Sequence, residues 1–476
     1  MRARQGGRAR GGLVVRWMLA LLLLALAYDP RTPYLLAVRE VLTAGLLVAA
    51  TLGVAAVCMG FARDRLGRFE AAALGTCCAL AGLLTLGDML VARAQREAVL
   101  APDVEASRLG HHFIVGYHDF DEVARLAERG LIGGIYLARR NVRGRDLATV
   151  RAEVDALQAR RAVAGWPPLL VLADQEGGRV AHMSPPLSAM PALSALVAAS
   201  SGDGFDTLLE RARAYGARQG RELASLGVNL NLGPVVDLRP ERQTTMLDTH
   251  TRIGQRAIAA DPVVVARVAA AYAEGLAERG VGATLKHFPG LGGVHTDTHH
   301  FSARLETPPT HLETHDWLPF RLAARSDGAI MLGHVVVPGI DPQRPASLSK
   351  AVVEMLRQTW GFDGLLLTDD LNMGAVYRRG LCRAAVDALR AGVDLLLISY
   401  DPQQYYRAMH CAVAAERAGL LDDAWRASSR RRIGIAAARA PVVQPLPETA
   451  RLDDKLALRA GVRPAAAAEV ALRATR

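Results

Sequence analysis

Eight short apolar runs between residues 112 and 399 constrain this chain more than any other feature. Most are followed by an amphipathic stretch, such as FDEVARLAERG (120–130) or RDLATVRAEVDALQARR (145–161). Apolar runs without alternation predict strands buried on both faces, as in a parallel sheet, and strands that alternate with helices predict βαβ units. The eight predicted strands are His112–Val115, Gly133–Leu137, Leu169–Ala173, Val228–Leu232, Gly282–Lys286, Ala329–Leu332, Gly364–Thr368 and Asp394–Ser399.

These units predict an α/β protein whose core is a (β/α)8 barrel of the TIM type, because eight βαβ repeats over about 330 residues match that fold. A doubly wound open sheet remains the alternative, since periodicity does not count strands reliably. The barrel is expected to occupy residues 105–440. Residues 441–476 are rich in Pro, Ala and Arg and are expected to form a loosely attached tail, with one short helix near residues 453–458.

The first 96 residues have a different texture and are expected to form a separate membrane-spanning region. Three apolar runs lie at residues 13–28, 41–62 and 71–92. The second and third are long enough to cross a bilayer as helices of about 20 residues, whereas the first is shorter and is interrupted by Arg16. We therefore expect two or three transmembrane helices ahead of the barrel.

The charges beside these runs predict an orientation. Arginines precede the first run and fill the loop between the second and third, and arginine-rich short loops stay in the cytoplasm. The barrel then lies outside the cytoplasm, either after three crossings or after two crossings that follow cleavage of a signal peptide near Ala27. If the first run lies on the membrane surface instead, the barrel lies inside. The expected location is a bacterial inner membrane, with the barrel on the extracytoplasmic side.

The charge distribution and the cysteine content of the chain argue against nucleic acid as a partner and against disulfide bonds. The chain has a formal net charge of +10, but part of it flanks the apolar runs and the other arginines are interleaved with Asp and Glu, as on a solvated surface. Nucleic acid is therefore not an expected partner. The five cysteines suggest no disulfide framework. Cys382 and Cys411 are expected to be buried singly in helices, as small hydrophobic residues.

Polar residues follow the ends of five predicted strands. They are Asp174, Asn231, Lys286 with His287, His334, and Asp369 with Asp370. Each alone could be a turn residue, but in a barrel of this type reactive groups collect at the carboxyl ends of the strands, so five together predict a shared pocket. Asp369 is the best candidate for a nucleophile because it ends a rigid strand, and Asp370 is expected to cap or brace.

The segment KHFPGLGGVHTDTHH (286–300) concentrates a lysine, four histidines and an aspartate. Its proline and glycines predict a loop. Three interpretations are open: a metal site built from His295, Asp297 and His299, a solvated polar loop, and a catalytic loop. The spacing lacks the helical HExxH arrangement and the glycines make a poor cage, so neither a metal nor another cofactor is expected.

The catalytic interpretation needs fewer residues. A tight turn can join Asp297 to His299, and a carboxylate beside a histidine raises the pKa of the imidazole and fixes its tautomer. Such a pair can donate a proton near neutral pH and then act as a base. Lys286 is one of only three lysines in a chain whose basic residues are almost all arginine. With His287, it is placed to hold a substrate hydroxyl or carbonyl.

Seven stretches between residues 105 and 420 together resemble glycoside hydrolase family 3, in particular its single-domain β-N-acetylglucosaminidases, and they occur in the family's order. They are ADQEGGRV (173–180), GVNLNLGPVVDL (227–238), IGQRAIAADP (253–262), KHFPG with DTH (286–299), HDWLPFR (315–321), GHVVVPGIDPQRPASLS (333–349) and GFDGLLLTDDLNMGA (361–375).

The resemblance implies a retaining exo-glycosidase that removes non-reducing-end β-linked N-acetylglucosamine, with peptidoglycan-derived sugars as the expected substrate. It implies that Asp369 forms a covalent glycosyl-enzyme and that His299, paired with Asp297, is the acid and base. The residues that correspond to the family's contacts with the N-acetylglucosamine unit are Asp174, Arg256, Lys286 and His287.

The sequence departs from the family pattern without losing a catalytic group. Leu291 stands where the family usually has a second histidine, Thr298 replaces the usual serine, and Ile258 replaces the usual aromatic residue. Three alternatives stay open: a phosphorolytic enzyme, a β-glucosidase, and a non-catalytic membrane-anchored module that binds carbohydrate. A carboxylate beside the acid discourages an anionic acceptor, which favours hydrolysis over phosphorolysis.

Overall fold

The computed structural model of the chain describes residues 2–240, 251–294, 297 and 302–439, with side chains from residue 12 onward. The chain divides into two compact units, Met1–Pro102 and Asp103–Arg476. The short helix expected near residues 453–458 lies outside the described residues.

The first unit consists of apolar helices. α-Helices span Arg2–Tyr28, Arg39–Ala62 and Arg68–Leu100, and a 3-10 helix spans Pro33–Val38. By length and composition alone, the stretches Pro33–Ala62 and Arg68–Leu100 could cross a membrane, and Gly12–Tyr28 is a shorter apolar helix. Few side chains in the most apolar parts of the two long stretches are buried, so the described protein leaves most of this apolar surface uncovered.

Two ion pairs set the alignment of these helices. Arg16 Nη2 lies 2.8 Å from Glu70 Oε1, at the start of the last helix of the unit. Arg31 Nε lies 2.8 Å from Asp88 Oδ2, farther along the same helix. Since the two pairs follow the same order along both segments, the segment that contains Arg16 and Arg31 runs in the same direction as the helix Arg68–Leu100.

The sheet of the second unit contains eight parallel strands within the described residues. In chain order they are β1 Phe113–Val115, β2 Gly134–Leu137, β3 Leu170–Ala173, β4 Leu230–Asn231, β5 Gly282–Phe288, β6 Ala329–Leu332, β7 Leu365–Thr368 and β8 Leu396–Ile398. Neighbours pair in the order β7–β6–β5–β4–β3–β2–β1–β8, and a parallel bridge from Leu367 to Leu395 links the two ends. The sheet is therefore a nearly closed barrel, which confirms the barrel prediction over the open sheet.

The strands lie where the apolar runs predicted them, with small differences in length. β4 is shorter than the expected Val228–Leu232, and β5 continues two residues beyond Lys286. Every residue of the eight strands is buried. This burial on both faces explains why the strands appear in the sequence as continuous apolar runs.

Helices connect the strands of the barrel. The described α-helices of this unit are Val104–Gly110, Phe120–Glu128, Arg139–Val142, Leu147–Val163, Leu193–Ala199, Phe205–Ser225, Ile253–Arg256, Pro262–Ala277, Pro309–Thr314, Leu318–Ala323, Lys350–Glu354, Gly374–Tyr377, Leu381–Ala391, Gln404–Arg417 and Asp423–Ala437. Aspartates at several N-termini, such as Asp119, Asp146 and Asp261, accept hydrogen bonds from first-turn backbone N–H groups, which fixes where these helices begin.

Shorter elements complete the unit. Strands Gln175–Gly177 and Val180–Ala181 form a hairpin directly after β3. A second small sheet joins Ala303–Arg304, Val335–Val337 and Asp341–Pro345. A 3-10 helix spans Ala346–Leu348 and a π-helical turn spans Met355–Thr359.

The helix Asp423–Ala437 closes the barrel at the end where the strands begin. Ile433 and its neighbours at 436 and 437 belong to one buried cluster with the interior side chains of the strands. Arg432 holds the helix in place, because its Nη1 lies 3.1 Å from Asp394, just before β8, and its Nε lies 2.8 Å from Asp363, just before β7. With this end filled, the carboxyl ends of the strands remain as the place for a site.

A disulfide joins Cys382 to Cys411, so the expectation of two unpaired cysteines was wrong. The residues lie on the helices Leu381–Ala391 and Gln404–Arg417, with their Cα atoms 5.4 Å apart, within the usual range for a disulfide. The sequence of each helix, taken alone, shows only the hydrophobic period of an ordinary amphipathic helix. The pairing depends on how the two helices pack around β8, which a helical period does not encode.

Candidate active site

Three predicted site groups lie at the carboxyl ends of the strands. Asp174 follows β3, Lys286 lies near the end of β5, and Asp369 follows β7. The backbone N–H of Asp369 donates to Leu332 O at the end of β6 (3.0 Å), and Leu332 pairs in register with Phe288 of β5. Asp369 is therefore separated from the end of β5 by a single strand, at the same mouth of the barrel.

Lys286 lies between two carboxylates. Its Nζ is 2.5 Å from Asp174 Oδ1 and 2.7 Å from Glu176 Oε1, and its side chain is only 3% exposed. Asp174 is 20% exposed, so it stands between the buried ammonium and the open mouth. An ammonium has three N–H donors, so one remains for a substrate oxygen. Burial lowers the pKa of Lys286, but Asp174 and Glu176 outweigh burial and the net effect is a raised pKa.

Arg256 donates two parallel hydrogen bonds to Glu176. Its Nη2 lies 2.6 Å from Oε1 and its Nε lies 3.0 Å from Oε2, the planar geometry that makes arginine a strong carboxylate partner. Burial raises the pKa of Glu176, but the charges of Arg256 and Lys286 outweigh burial and hold that pKa well below its usual range. Burial likewise lowers the pKa of Arg256, and Glu176 raises it above its ordinary value.

His287 is fixed from behind by Asp237, a residue that follows β4. His287 Nδ1 lies 2.7 Å from Asp237 Oδ2, and Asp237 Oδ1 accepts from the backbone N–H groups of His287 and Leu291. A carboxylate accepts only, so Nδ1 donates this hydrogen bond. Arg256 Nη2 lies 3.4 Å from His287 Nε2. Leu291 is thus anchored through its backbone.

Tyr136 and His182 lie against the other oxygen of Asp174. Tyr136 Oη donates to Asp174 Oδ2 at 2.9 Å, and His182 Nδ1 lies 3.0 Å from Tyr136 Oη. Tyr136 belongs to β2, and His182 follows the hairpin after β3. Both carboxylate oxygens of Asp174 therefore have a protein partner.

The two consecutive aspartates after β7 have different surroundings. Asp370 is buried, and its Oδ2 accepts from Ser399 N, Ser399 Oγ and Tyr400 N, while Oδ1 accepts from Asn372 N. Burial raises the pKa of Asp370 despite these bonds. Asp369 is half-buried, and its Oδ1 accepts from the backbone N–H of Asp370 (2.8 Å). Asp370 thus braces the strand end, whereas Asp369 retains access to the mouth.

Asp297 is buried near Arg256. Its Oδ1 accepts from Thr251 Oγ1 at 3.0 Å, and the carbonyl oxygen of Thr251 accepts from Arg256 Nη1 at 3.1 Å. One residue therefore links the loop aspartate to the charged cluster. His299, the predicted partner of Asp297, lies outside the described residues, as does His295.

The sequence of this chain matches that of a known protein family. The sequence profile described as "Glycosyl hydrolase family 3 N terminal domain" matches residues 102–431. The chain belongs to glycoside hydrolase family 3. It is therefore an enzyme, a glycoside hydrolase.

Relatives within the family agree in sequence and in fold. A β-hexosaminidase of Chromobacterium violaceum is 35% identical over 338 residues, 68% of this chain and 90% of the relative. A family 3 β-N-acetylglucosaminidase of Paenibacillus sp. str. FPU-7 superposes with a TM-score of 0.64 at 30% identity, covering 73% of this chain and 65% of that enzyme. A family 3 glycosyl hydrolase of Mycobacterium smegmatis superposes with a TM-score of 0.61 at 30% identity, covering 72% and 99%.

Two of the five polar strand ends, Asn231 and His334, bond to neighbouring loops of the protein, and the prediction that all five share one pocket stays a prediction. Asn231 bonds with the backbone of Gln175 and with Tyr272 Oη. His334 lies between Ser347 Oγ and Asp370 O. Both side chains are at most 2% exposed, and they tie neighbouring loops together. A polar residue after a strand indicates the mouth of the barrel in this glycoside hydrolase. Its position in the sequence does not show whether its side chain lines the pocket or holds a neighbouring loop in place.

Four residues of the site were missed from sequence: Glu176, Asp237, Tyr136 and His182. Glu176 and Asp237 lie inside the motifs that carry the family resemblance, and each is an acid near a strand end, so a signal was present. Tyr136 lies within an apolar run and gives no such signal. Among the described residues no group of three or more His, Cys, Asp or Glu side chains is placed to hold a metal ion.

Proposed function

We propose that this glycoside hydrolase is a retaining exo-β-N-acetylglucosaminidase. The observation that carries the proposal is the charged cluster of Asp174, Glu176, Lys286 and Arg256 at the same mouth of the barrel as Asp369. A set of fixed donors and acceptors suits the hydroxyl and amide groups of one sugar ring. The names of the relatives, β-hexosaminidase and β-N-acetylglucosaminidase, support the same substrate class.

In the first step Asp369 attacks the anomeric carbon. The bond from that carbon to the leaving oxygen breaks, a bond to the Asp369 carboxylate forms, and His299 donates its proton to the leaving oxygen. The strand end that holds Asp369 is fixed by its backbone bond to Leu332 and by the buried Asp370 next to it. A carboxylate held this way needs little reorganisation to reach the sugar.

In the second step water displaces the Asp369 carboxylate from the anomeric carbon. The imidazole of His299, now neutral, takes a proton from water, the hydroxyl group bonds to the anomeric carbon, and Asp369 leaves as a carboxylate. Two displacements retain the configuration. Asp297 is the proposed support for this imidazole: it lies two residues before His299 in the sequence, and its buried carboxylate accepts from Thr251, whose carbonyl oxygen accepts from Arg256.

The expected substrates are peptidoglycan-derived sugars outside the cytoplasm, with the helices before residue 102 holding the enzyme in the inner membrane. The Cys382–Cys411 disulfide supports this location, because disulfides persist in oxidising compartments and are rare in a bacterial cytoplasm. The arginines around the apolar helices support the same orientation. A reporter fused after Arg476 should be active only outside the cytoplasm, and activity only inside would contradict the proposal.

Paired aryl β-glycosides test the activity. The wild-type enzyme should hydrolyse the N-acetylglucosaminide far faster than the glucoside, and Asp369→Asn and His299→Ala should each lose at least about a hundredfold in kcat. Asp203→Asn, a change in an exposed pair with Arg211, is the matched control and should keep wild-type rates. Preference for the glucoside, or an unchanged rate in Asp369→Asn, would refute the proposal.

The same assay in phosphate buffer separates hydrolysis from phosphorolysis. Hydrolysis releases free N-acetylglucosamine at a rate that does not depend on phosphate. Release of a sugar phosphate, or a rate that rises with phosphate concentration, would assign the phosphorolytic reaction instead.

A further inference from the structure

Tyr136 is a polar residue inside the apolar interior of the barrel. Its ring belongs to the buried cluster formed by the inward-facing side chains of the strands, and the residue is 6% exposed. Its hydroxyl reaches the mouth, where Oη lies 2.9 Å from Asp174 Oδ2. A phenylalanine would fill the same interior space, so packing alone does not account for the hydroxyl.

The chemistry of the three side chains fixes the direction of their hydrogen bonds. Burial, together with Asp174, raises the pKa of Tyr136 well above its ordinary value, so the phenol keeps its proton. A carboxylate accepts only, so that proton lies toward Asp174. The hydroxyl has no second proton, and His182 Nδ1, 3.0 Å away, must donate to its oxygen. His182 therefore carries a proton on Nδ1. Burial lowers the pKa of its imidazole, which favours the neutral ring.

The backbone holds His182 in position for this bond. Its N–H donates to the carbonyl oxygen of Asp174 at 3.0 Å, across the hairpin that follows β3. The next residue, Met183, donates its N–H to Gln175 Oε1 at 3.0 Å. The imidazole and the carboxylate are thus attached to one short, hydrogen-bonded hairpin, and the phenol of Tyr136 bridges them from β2.

Asp174 is consequently held at both oxygens. Lys286 Nζ lies 2.5 Å from Oδ1 and Tyr136 donates to Oδ2. Each oxygen of a carboxylate can accept about two hydrogen bonds, so one position on each remains directed away from these partners. Since Asp174 is the partly exposed member of the cluster, those positions are available to hydroxyl groups of a sugar.

We propose that Tyr136 and His182 are positioning residues for substrate binding: His182 orients the Tyr136 hydroxyl, and this hydroxyl holds the Asp174 carboxylate in the plane that receives the sugar. The inference rests on the proposed function, in which Asp174 contacts the N-acetylglucosamine unit. Neither side chain takes part in a bond-breaking step. Loss of either side chain should therefore weaken sugar binding equally in the ground state and the transition state. This raises KM and leaves kcat unchanged.

Tyr136→Phe removes the hydroxyl and keeps the ring. With an aryl N-acetyl-β-glucosaminide, KM should rise about tenfold, as for one hydrogen bond to a charged group, and kcat should stay within about twofold. Tyr405→Phe is the matched control, because Tyr405 is also buried and donates to a backbone carbonyl, that of Leu131, before the start of β2. It should leave both constants unchanged.

Substitutions of His182 test the second bond. His182→Asn keeps an N–H group near the position of Nδ1, His182→Gln places its amide near the position of Nε2, and His182→Ala has neither. Asparagine should retain a KM within about twofold of wild type, whereas glutamine and alanine should raise KM severalfold. Comparison of asparagine with glutamine separates the bond from folding, because both variants lose the imidazole ring.

The outcomes separate this inference from the proposed function. If the wild-type enzyme does not hydrolyse the N-acetyl-β-glucosaminide, the proposed function fails. If it does, an unchanged KM in Tyr136→Phe, a fall in kcat with KM unchanged, or a His182→Asn variant as impaired as His182→Ala would each overturn the positioning role.

Discussion

Glu176 balances two buried cations at the barrel mouth. Arg256 places two N–H groups on its carboxylate and Lys286 Nζ lies 2.7 Å away, and none of the three side chains is more than 10% exposed. Buried ion pairs contribute little net stability while intact, but removal of one partner leaves an uncompensated charge. The proposed substrate pocket therefore depends on the charge of Glu176, whether or not that residue contacts the sugar.

Glu176→Gln should destabilise the protein and abolish sugar binding. We expect a loss of about 3 kcal/mol in the free energy of unfolding, because Arg256 and Lys286 keep their charges and lose part of their compensation. The measurement is urea denaturation at pH 7. Glu278→Gln removes the carboxylate of an exposed pair with Arg213 and should cost less than about 0.5 kcal/mol. Equal effects of the two substitutions would contradict the account.

The stability difference between wild type and Glu176→Gln should depend on pH in a defined direction. The folded-state pKa of Glu176 is depressed, so its contribution is present above the unfolded value of about 4.5 and is lost as pH falls toward the folded value. The pKa of Lys286 is raised, so its contribution is lost only as pH rises above about 10.5. The difference should be constant from about pH 5 to 10 and shrink at pH 3. A difference that grows on acidification would rule out the depressed pKa.

Among the elements, the helix Asp423–Ala437 has the clearest structural task, since it fills the end of the barrel opposite the site. Ile433 is 5% exposed within the interior cluster, whereas Ile435, on the same helix, is 53% exposed. The two isoleucines differ in burial and share the same element, so they form a matched pair.

Ile433→Ala should cost about 3 kcal/mol of unfolding free energy, because it removes buried methyl groups and leaves a cavity at the barrel end. Ile435→Ala should change stability by less than about 0.5 kcal/mol. Chemical denaturation of both variants measures the difference. If they prove equally stable, the helix does not close the barrel in solution.

The elements and the site were not equally predictable from the sequence. The strands were visible because burial on both faces leaves continuous apolar runs, as in LLVLA before Asp174. The position of Lys286 and Asp369 at one mouth of the barrel was predictable because parallel strands bring their carboxyl ends together. Tyr136 was missed because an apolar run does not reveal which of its residues faces the barrel interior. The Cys382–Cys411 pair was missed because helix packing is a tertiary property.

At the scale of the whole molecule, the two compact units carry different chemistry. The unit Met1–Pro102 holds the apolar helices and three free cysteines, Cys58, Cys77 and Cys78. The unit Asp103–Arg476 holds the barrel and the disulfide. The redox state of the second unit therefore reports the compartment in which the barrel folds.

Thiol counting on the full chain tests that compartment. Protein that is denatured and alkylated at lysis should show three alkylated thiols without reductant and five when it is reduced first. A Cys382→Ser/Cys411→Ser variant should show three under both conditions. Five thiols in unreduced wild-type protein would place the barrel in a reducing compartment and contradict the extracytoplasmic location.

The most direct test of the central claim is to trap the covalent intermediate. A fluorinated N-acetylglucosaminyl fluoride should slow the second step and leave one sugar on the enzyme, which intact-protein and peptide mass spectrometry can locate. We expect a single adduct on the peptide that contains Asp369, and none in Asp369→Asn. An adduct on a different residue, or full wild-type turnover by Asp369→Asn with no adduct, would contradict it.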